Sequence, residues 1–259
     1  MKSDFKRVPA VEKCFGILDV LSSSRNPMGI SELAKNLNYN KSTVFNIVNT
    51  LTNLGVLERV EGNRFHFGTT LYLLGRAACN RSKLIQTVHP FLEKINEQTK
   101  LSAFLGIRSG LRAVILDKVD SAFDIRISSD IGMRLPLLAG AGGRALLSLL
   151  KDEEIDEILA SGELKKFTDK SCVEKEEYKR QVIRVREEGI ALDDEEYIDG
   201  IFAFAVPLRI PTNDLQAAIW AVGLKKLVPD QVISEYSEFL KQAAAEIESR
   251  FFIEEQWEK

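Results

Sequence analysis

Polar side chains at helical spacing occupy one side of the segment 41–54, and their chemistry suits contact with nucleic-acid bases. Ser42, Asn46, Asn49 and Asn53 recur on that side, with Phe45 at its margin. Hydroxyl and amide groups both donate and accept hydrogen bonds, and these side chains are short enough to reach base edges in a major groove. The alternative is an ordinary solvated helix face, so the neighbouring elements must decide between the two.

A second candidate for chemistry is the run of four acidic residues from Asp193 to Glu196. Paired carboxylates can serve as general acid and base, but four adjacent acids in a loop usually face water. Neither His66 nor His89 stands near this run in sequence, and no cysteine does. We therefore expect an acidic loop and no catalytic residues.

The glycine-rich segment Ala139–Ala145 lacks the Lys-Ser/Thr ending of a phosphate-binding loop, so no nucleotide cofactor is expected. Small residues that lead into a helix let a ligand approach the backbone, and the free amides of the first turn attract an anion such as a carboxylate. Equally, these glycines could serve only the close packing of a helix on a sheet.

The cysteines and histidines give no metal or disulfide pattern. Cys14, Cys79 and Cys172 are too widely spaced for a disulfide framework or a paired metal knuckle, and the two histidines stand alone. We expect no metal site, and Cys14 is interpreted as a small core residue of the first helix.

Three helices are predicted to position the polar side of 41–54. Apolar residues recur at helical spacing between Val11 and Leu21, between Ile30 and Leu37, and from Val44 to Leu54. The predicted core face of the first helix consists of Val11, Cys14, Phe15, Leu18 and Leu21. The side chain of Asn40 is expected to cap the third helix, which would begin near Lys41.

A two-stranded hairpin is predicted next, from 56 to 60 and from 64 to 67. Leu57, Phe65 and Phe67 are expected on its inner face. Short helix, break, polar-faced helix and hairpin in this order predict a helix-turn-helix with a wing, a module that reads DNA. Arg59 and Arg64 would then contact phosphates, unless they only make the hairpin soluble.

Beyond residue 68 the pattern predicts an α+β domain with a mainly antiparallel sheet. The predicted helices cover 69–82, 84–99, 142–150, 153–160, 174–188 and 229–250. The predicted strands cover 101–108, 111–119, 123–128, 201–209 and 215–223.

Length and charge agree with two domains. A winged helix of about 75 residues leaves enough of the 259 residues for one ordinary domain. The first 80 residues hold ten Lys and Arg against six Asp and Glu, a net of +4, so the rest carries −7 of the total of −3. A positive front half suits DNA phosphates. The N-terminus lacks the apolar core of a secretion signal, and we expect a cytoplasmic protein without a membrane segment.

Three stretches of the chain resemble the IclR family of transcriptional regulators. They are ISELAKNLNYNKSTVFNIVNTLTNLGVLER from Ile30, RLPLLAGAGGRALLS from Arg134, and EEGIALDDEEYIDGIFAFAVPL from Glu187 followed by LQAAIWAVGL from Leu215. The resemblance implies a winged helix-turn-helix DNA-binding domain over 1–75, a linker helix over 76–88 and an effector-binding domain similar to GAF and PAS sensors over 89–259.

The resemblance also implies site residues. In the effector-binding domain, the acidic loop followed by Gly200 would close over a small-molecule effector, and Asp193 would bond a hydroxyl or orient the ligand. The effector-binding positions are Leu135, Ala141, Gly142, Asp193, Ile201, Ala203, Trp220 and Val222. The DNA-binding positions are Lys41, Ser42, Thr43, Phe45, Asn46, Asn49, Arg59 and Arg64.

The chain departs from the family pattern at positions that affect both sites. Trp220 and Val222 stand where relatives commonly carry serines, and Leu138 and Gly140 replace residues that are often polar. These changes predict a more apolar, narrower pocket, or a pocket that Trp220 fills so that no effector binds. Asn46 stands where relatives often carry arginine, which removes a charge from the recognition helix.

Together these patterns predict a regulator, in our interpretation a repressor, whose DNA binding responds to a small carboxylate. A short recognition helix covers few base pairs, so we expect a homodimer on a pseudo-palindromic operator, with a dimer of dimers as a further possibility. The rival hypotheses are an enzyme acting on a small acid, with Asp193 as base, and a winged helix that binds protein instead of DNA.

Overall fold

The computed structural model describes residues 6–24, 26–121, 127, 129–211 and 215–257, with side chains up to Phe252. The chain divides into two compact units, Met1–Ser82 and Lys83–Lys259. Within the described residues, no helix is long and apolar enough to cross a membrane.

The first unit is a winged helix-turn-helix built on a small apolar core. Its elements are α1 (Pro9–Ser22), β1 (Met28–Gly29), α2 (Ile30–Leu37), α3 (Lys41–Asn53), β2 (Leu57–Val60), β3 (Arg64–Phe67) and α4 (Thr69–Arg81). Ile17, Leu33, Val44, Val48 and Leu57 are fully buried and hold the helices against the wing. The order and bounds of α2, α3 and the hairpin agree with the sequence prediction.

Part of the predicted apolar face of α1 is wrong. Val11 and Phe15 are 52% and 63% exposed, whereas Ile17, which was not assigned to the face, is fully buried. The same holds at the ends of other elements, where Leu54 is 62% and Phe67 36% exposed. A core this small covers fewer apolar residues than the periodic pattern offers.

The start of α3 is correct, but the expected cap is not formed by a side chain. The helix begins at Lys41, and the Val44 N–H donates to the Asn40 carbonyl over 3.1 Å. The Asn40 side chain makes no capping hydrogen bond. An exposed N-terminus can leave its free amides to water, so a capping residue type does not ensure a side-chain cap.

A third strand, absent from the sequence prediction, completes the wing. β1 pairs with β3 in antiparallel register, Met28 opposite Phe65. The Arg64 guanidinium fastens this junction, because its Nε donates to the Pro27 carbonyl over 2.7 Å and its Nη2 donates to Glu32 over 2.9 Å. A two-residue strand has no detectable periodicity, which is why the pattern missed it.

The second unit is a six-stranded antiparallel sheet, in the described residues, with helices on both faces. Its elements are α5 (Lys83–Thr99), β4 (Ser102–Ser109), β5 (Arg112–Val119), β6 (Arg134–Pro136), α6 (Gly140–Leu147), α7 (Asp152–Ser161), α8 (Lys175–Glu188), β7 (Ala191–Asp194), β8 (Ile201–Leu208), β9 (Ala217–Leu224) and α9 (Asp230–Trp257). The strand order is β6-β5-β4-β9-β8-β7.

Alternation along the central strands gives the two faces different characters. On β8, Phe202 and Phe204 belong to the core that also contains α5 and α9 residues. Ala203 and Ala205 belong to the opposite core, with residues of α6, α7 and α8. Because successive side chains of a strand point to opposite faces, large residues fill one layer and small residues leave space in the other.

Most predicted elements of the second unit are present within a few residues of their expected bounds. β6 and β7 were not predicted, and the acidic run is not wholly a loop because Asp193 and Asp194 end β7. The strand expected at 123–128 lies outside the described residues, apart from Ile127.

At Gly143, α6 lies close to the backbone of Leu137 in the segment before the helix, and this contact can be tested by substitution. A Cβ added at Gly143 would lie 2.9 Å from the Leu137 carbonyl carbon and nearer still to its oxygen, and backbone cannot move aside as a side chain can. Gly143→Ala should therefore lower the free energy of unfolding of the second unit by about 3 kcal/mol in urea denaturation.

Gly75→Ala is the matched control, because Gly75 also lies in a helix and its added Cβ would meet open space. That change should stabilise α4 by about 0.5–1 kcal/mol. Equal stability of wild type and Gly143→Ala would contradict the close packing described for α6.

Candidate functional site

The expected DNA-reading residues share the outer side of α3. Val44, Val48 and Leu51 are buried on the core side and Ile47 packs partly against that core, whereas the expected contact residues of α3 lie outside it. Lys41, Ser42, Phe45 and Asn46 are exposed, and Thr43 and Asn49 are half-buried. α3 therefore presents a continuous hydrogen-bonding surface with one positive charge at its N-terminal end.

The two wing arginines differ in what they contact. Arg59 is exposed and donates to the Asn63 side chain across the tip of the hairpin. Arg64 is half-buried, and its guanidinium is held by Glu32 and the Pro27 carbonyl. Arg59 is thus free to reorient toward a phosphate at the expense of one exposed hydrogen bond, whereas Arg64 would first have to leave a structural ion pair.

The second unit contains a cavity of 180 Å³ between the sheet and the start of α6. The cavity brings together all eight positions that the resemblance implied. They are Leu135, Ala141, Gly142, Asp193, Ile201, Ala203, Trp220 and Val222. These residues come from β6, α6, β7, β8 and β9. The sheet pairing aligns the strand residues on one face, and α6 covers that face.

Sequence reasoning missed several lining residues. Phe104 lies opposite Trp220 in the β4–β9 register, and Ala113 lies opposite Leu135 in the β5–β6 register. Both line the cavity, as do Tyr197 and Ile198 after β7. Strand alternation would have placed Phe104 on a face, but the pairing of β4 with β9, distant in sequence, was needed to put it beside Trp220.

Trp220 forms one wall and is 4% exposed. Its indole lies between two glycines. A Cβ added at Gly142 of α6 would lie 3.2 Å from its Cε3, and one added at Gly106 of β4 would lie 2.6 Å from its Cζ3. The ring also faces Phe104, with 6.4 Å between ring centroids. Trp220 therefore both fills the space between sheet and helix and lines the cavity that remains.

Asp193 is the one acidic residue among the described cavity-lining residues, and no Lys, Arg or His is among them. It is 4% exposed, contrary to the expectation that the acidic run faces water. Burial raises the pKa of its carboxyl to about 6, although the Glu196 backbone N–H donates to its Oδ1 over 2.7 Å. The cavity is thus apolar with a single hydrogen-bonding carboxyl at its edge.

The other three acids of the run are each paired with a cation. Asp194 lies 3.2 Å from the Lys225 Nζ, and Glu195 lies 2.6 Å from the Lys170 Nζ. Glu196 accepts from Arg144, which is 3% exposed and extends from α6. These pairings hold the turn after β7 while leaving Asp193 without a cationic partner of its own in the described part of the chain.

Two hydroxyl groups from the segment before α8 also fix this turn. The Thr168 Oγ1 donates to the Glu195 carbonyl and the Ser171 Oγ to the Glu196 carbonyl, each over 2.7 Å. Nothing in the sequence pattern singled out these residues. Among the described residues, no group of three or more His, Cys, Asp or Glu could hold a metal ion.

Two family models match the chain. The IclR helix-turn-helix domain covers residues 10–61, and the bacterial transcriptional regulator IclR C-terminal domain covers residues 76–249. The first match contains α2 and α3, and the second contains every strand that surrounds the cavity.

Known proteins agree with these matches. The chain is 32% identical to the HTH-type transcriptional regulator KdgR of Escherichia coli (strain K12) over 202 residues, 78% of this chain and 76% of the relative. It is 24% identical to the transcriptional repressor IclR of the same organism over 244 residues, 93% and 89% of the two chains.

A solved structure shares the fold. An IclR homolog from Microbacterium hydrocarbonoxydans, crystallised with 4-hydroxybenzoate, superimposes with a TM-score of 0.78 at 21% identity, covering 94% of this chain and 99% of that one. The likeness confirms the predicted α+β class, with an N-terminal winged helix-turn-helix and a larger antiparallel-sheet domain compatible with GAF and PAS architecture. Because the matched families and relatives are transcriptional regulators rather than enzymes, this chain belongs to the IclR family of DNA-binding transcriptional regulators.

Proposed function

We propose that this regulator is a repressor whose operator binding is controlled by a small organic acid bound in the cavity of the second unit. The observation that carries the proposal is an apolar cavity of 180 Å³ with one buried carboxyl at its edge. A concave apolar site with few polar groups is the usual form of a small-molecule site. The relative named a repressor supports the direction of control.

The ligand must satisfy Asp193 as well as the apolar walls. A hydroxyl group would donate a hydrogen bond to this carboxyl, whereas a second carboxylate placed against it would repel it. A hydroxy acid with its hydroxyl toward Asp193 and its carboxylate away from it meets both needs. The 4-hydroxybenzoate bound by the structural relative has these two groups at opposite ends of one ring.

The DNA-binding form is proposed to be a dimer on a pseudo-palindromic operator, with a dimer of dimers as the larger assembly. One recognition helix reads too few base pairs for useful specificity. The first unit also exposes large apolar residues that no described contact covers, at Val8, Val11 and Phe15 and on α4 at Tyr72 and Leu73. Such surfaces suit contacts between copies of the winged helix. A DNA-binding regulator of this kind acts in the cytoplasm.

Effector control requires the ligand to favour one arrangement of the paired DNA-binding units, since a ligand with equal affinity for both shifts nothing. For a repressor, the effector-bound arrangement would be the one that fits the operator less well.

Substitution of the asparagines on α3 tests the DNA contact. Asn46→Ala and Asn49→Ala should each weaken binding to DNA from upstream of the protein's own gene about tenfold, because each removes hydrogen bonds to base edges. Binding to scrambled DNA should change less than twofold. Fluorescence anisotropy across a salt series measures the affinities for upstream and for scrambled DNA. The same measurement with 4-hydroxybenzoate or aliphatic carboxylates shows whether an acid releases the protein from the upstream DNA.

Asn53→Ala is the matched control, because Asn53 lies at the far end of α3, away from the N-terminal turns that contact bases in this motif. Equal losses on operator and scrambled DNA would refute base reading by α3. Affinity indifferent to both salt and sequence would instead favour a winged helix that binds protein.

The wall residue Trp220 should decide which effector is accepted. Trp220→Ser removes the indole and adds a hydroxyl, so the cavity becomes larger and more polar. We expect preference to move from aromatic toward smaller, more polar acids, with operator affinity in the absence of effector within about threefold of wild type. Calorimetry with a carboxylate panel measures the change, and an unaltered ligand profile would argue against Trp220 as a wall of the effector site.

The buried carboxyl predicts a pH-dependent stability. The folded-state pKa of Asp193, about 6, lies above the ordinary value, so its contribution is fully present below about pH 4 and is lost as pH rises through 6. Asp193→Asn should therefore raise the free energy of unfolding by about 2 kcal/mol at pH 8, and by much less at pH 4.

Asp194→Asn serves as the comparison, because Asp194 is half-exposed and paired with Lys225. That change should give no such gain at pH 8. If Asp193→Asn raised the free energy of unfolding equally at all pH values, this would contradict the burial of an ionisable group. The predicted rise at pH 8 alone would indicate that the carboxyl serves binding at a cost to stability.

A further inference from the structure

Gly106 lies outside the cavity, yet the position of the cavity wall depends on it. The residue lies in β4 opposite Ala218, two register steps from the Phe104–Trp220 pair and on the same face of the sheet. It also marks an irregularity in the pairing of β4 with β5, between Leu105 and Gly106. The six-membered ring of the Trp220 indole lies directly over Gly106.

No side chain fits between Gly106 and the indole. A Cβ at position 106 would lie 2.6 Å from the Trp220 Cζ3, 3.0 Å from its Cζ2 and nearer still to its Cη2. Contacts below 3.0 Å are essentially never seen for a real Cβ, so the six-membered part of the indole would have to move. Gly106 is buried, and only a residue without a Cβ leaves room for the indole at this position.

Two close neighbours limit where a displaced Trp220 indole can move. On the helix side it is already close to Gly142, at 3.2 Å from the Cε3 to an added Cβ, and Phe104 lies beside it. The indole also borders the cavity, because Trp220 is one of its lining residues. An indole displaced from Gly106 would take up cavity volume.

We propose that Gly106 is a specificity-determining residue of the effector site, because it lets Trp220 lie against the sheet and so leaves room for a ligand of one six-membered ring. This assignment rests on the proposed role of the cavity as the effector site. A volume of 180 Å³ is close to the roughly 150 Å³ of an engineered cavity that holds benzene. We expect compounds with two fused rings to bind more weakly than compounds with one ring.

The test uses calorimetry on the full-length protein without DNA, with phenol and benzoate as one-ring probes and 2-naphthoate as a two-ring probe. Wild type should bind a one-ring probe at least tenfold more tightly than 2-naphthoate. Gly106→Ala should weaken the one-ring probe at least tenfold, since the displaced indole occupies its place. Wild-type protein that binds no one-ring probe, or binds 2-naphthoate as well, overturns the assignment.

A double substitution separates this steric coupling from a general loss of structure. Trp220→Phe removes the atoms that meet position 106, so Gly106→Ala added to Trp220→Phe should change one-ring affinity less than threefold relative to Trp220→Phe alone. This comparison stands even if the single Gly106→Ala protein fails to fold. The same tenfold loss in both backgrounds, or full affinity in folded Gly106→Ala, overturns the proposal.

Gly223→Ala is the matched control on the same sheet. Its added Cβ would meet the Leu101 side chain, which belongs to the core with α5 and α9. That variant should keep one-ring affinity within twofold, and a tenfold loss there would show that any crowding of the sheet closes the cavity. A wild type without DNA preference but with the expected ring selectivity would refute the regulator mechanism and leave the role of Gly106 intact.

Discussion

The close approach of α6 to the sheet is the constraint on which the second unit depends. Gly143 places the helix against the Leu137 backbone, and Gly142 places it against the Trp220 indole. A larger residue at Gly143 would clash with the Leu137 backbone, and one at Gly142 would crowd the Trp220 indole at the cavity wall. The glycine-rich segment Ala139–Ala145 was interpreted either as a place where a ligand approaches the backbone or as a site of close helix packing. The two interpretations are compatible, because the close packing of α6 on the sheet also bounds the cavity.

α6 also influences the contacts of the acidic run from Asp193 to Glu196. Arg144 projects from α6 and holds Glu196, whose backbone N–H donates to Asp193. Lys170 and Lys225 neutralise Glu195 and Asp194 from other elements. Asp193 forms no ion pair of its own among the described residues, and its burial makes the carboxyl costly to ionise, which agrees with the proposed role in binding a ligand from outside.

In the second unit a polar group is buried, whereas in the first unit the polar side chains of α3 are accessible to solvent. The outer side of α3 offers hydrogen bonds with little charge, and Arg64 is used to tie the wing to α2 through Glu32. In the proposed DNA complex, affinity for the phosphate backbone would come from few cations, among them Lys41 and Arg59, and contacts to bases would provide discrimination. Because the exposed side of α3 carries little charge, we expect weak binding to random DNA.

The sequence alone determined the elements and their order, because helix and strand periodicities are local properties of the chain. It placed α3, the wing hairpin and most of the second unit, and the resemblance named eight of the positions that line the cavity. It missed β1, β6 and β7, since strands of two to four residues carry almost no periodic signal, and it left Val11 and Phe15 on a core face that the small unit cannot cover.

Tertiary structure alone decided the character of the site. Whether Trp220 lines or fills the pocket depends on Gly106 and Gly142, which lie more than 70 residues before it in sequence and meet it only through sheet pairing and helix packing. The burial of Asp193 depends likewise on α6 and the turn after β7. Steric fit and desolvation are properties of atoms brought together from distant parts of the chain, and no local pattern of residue types contains them.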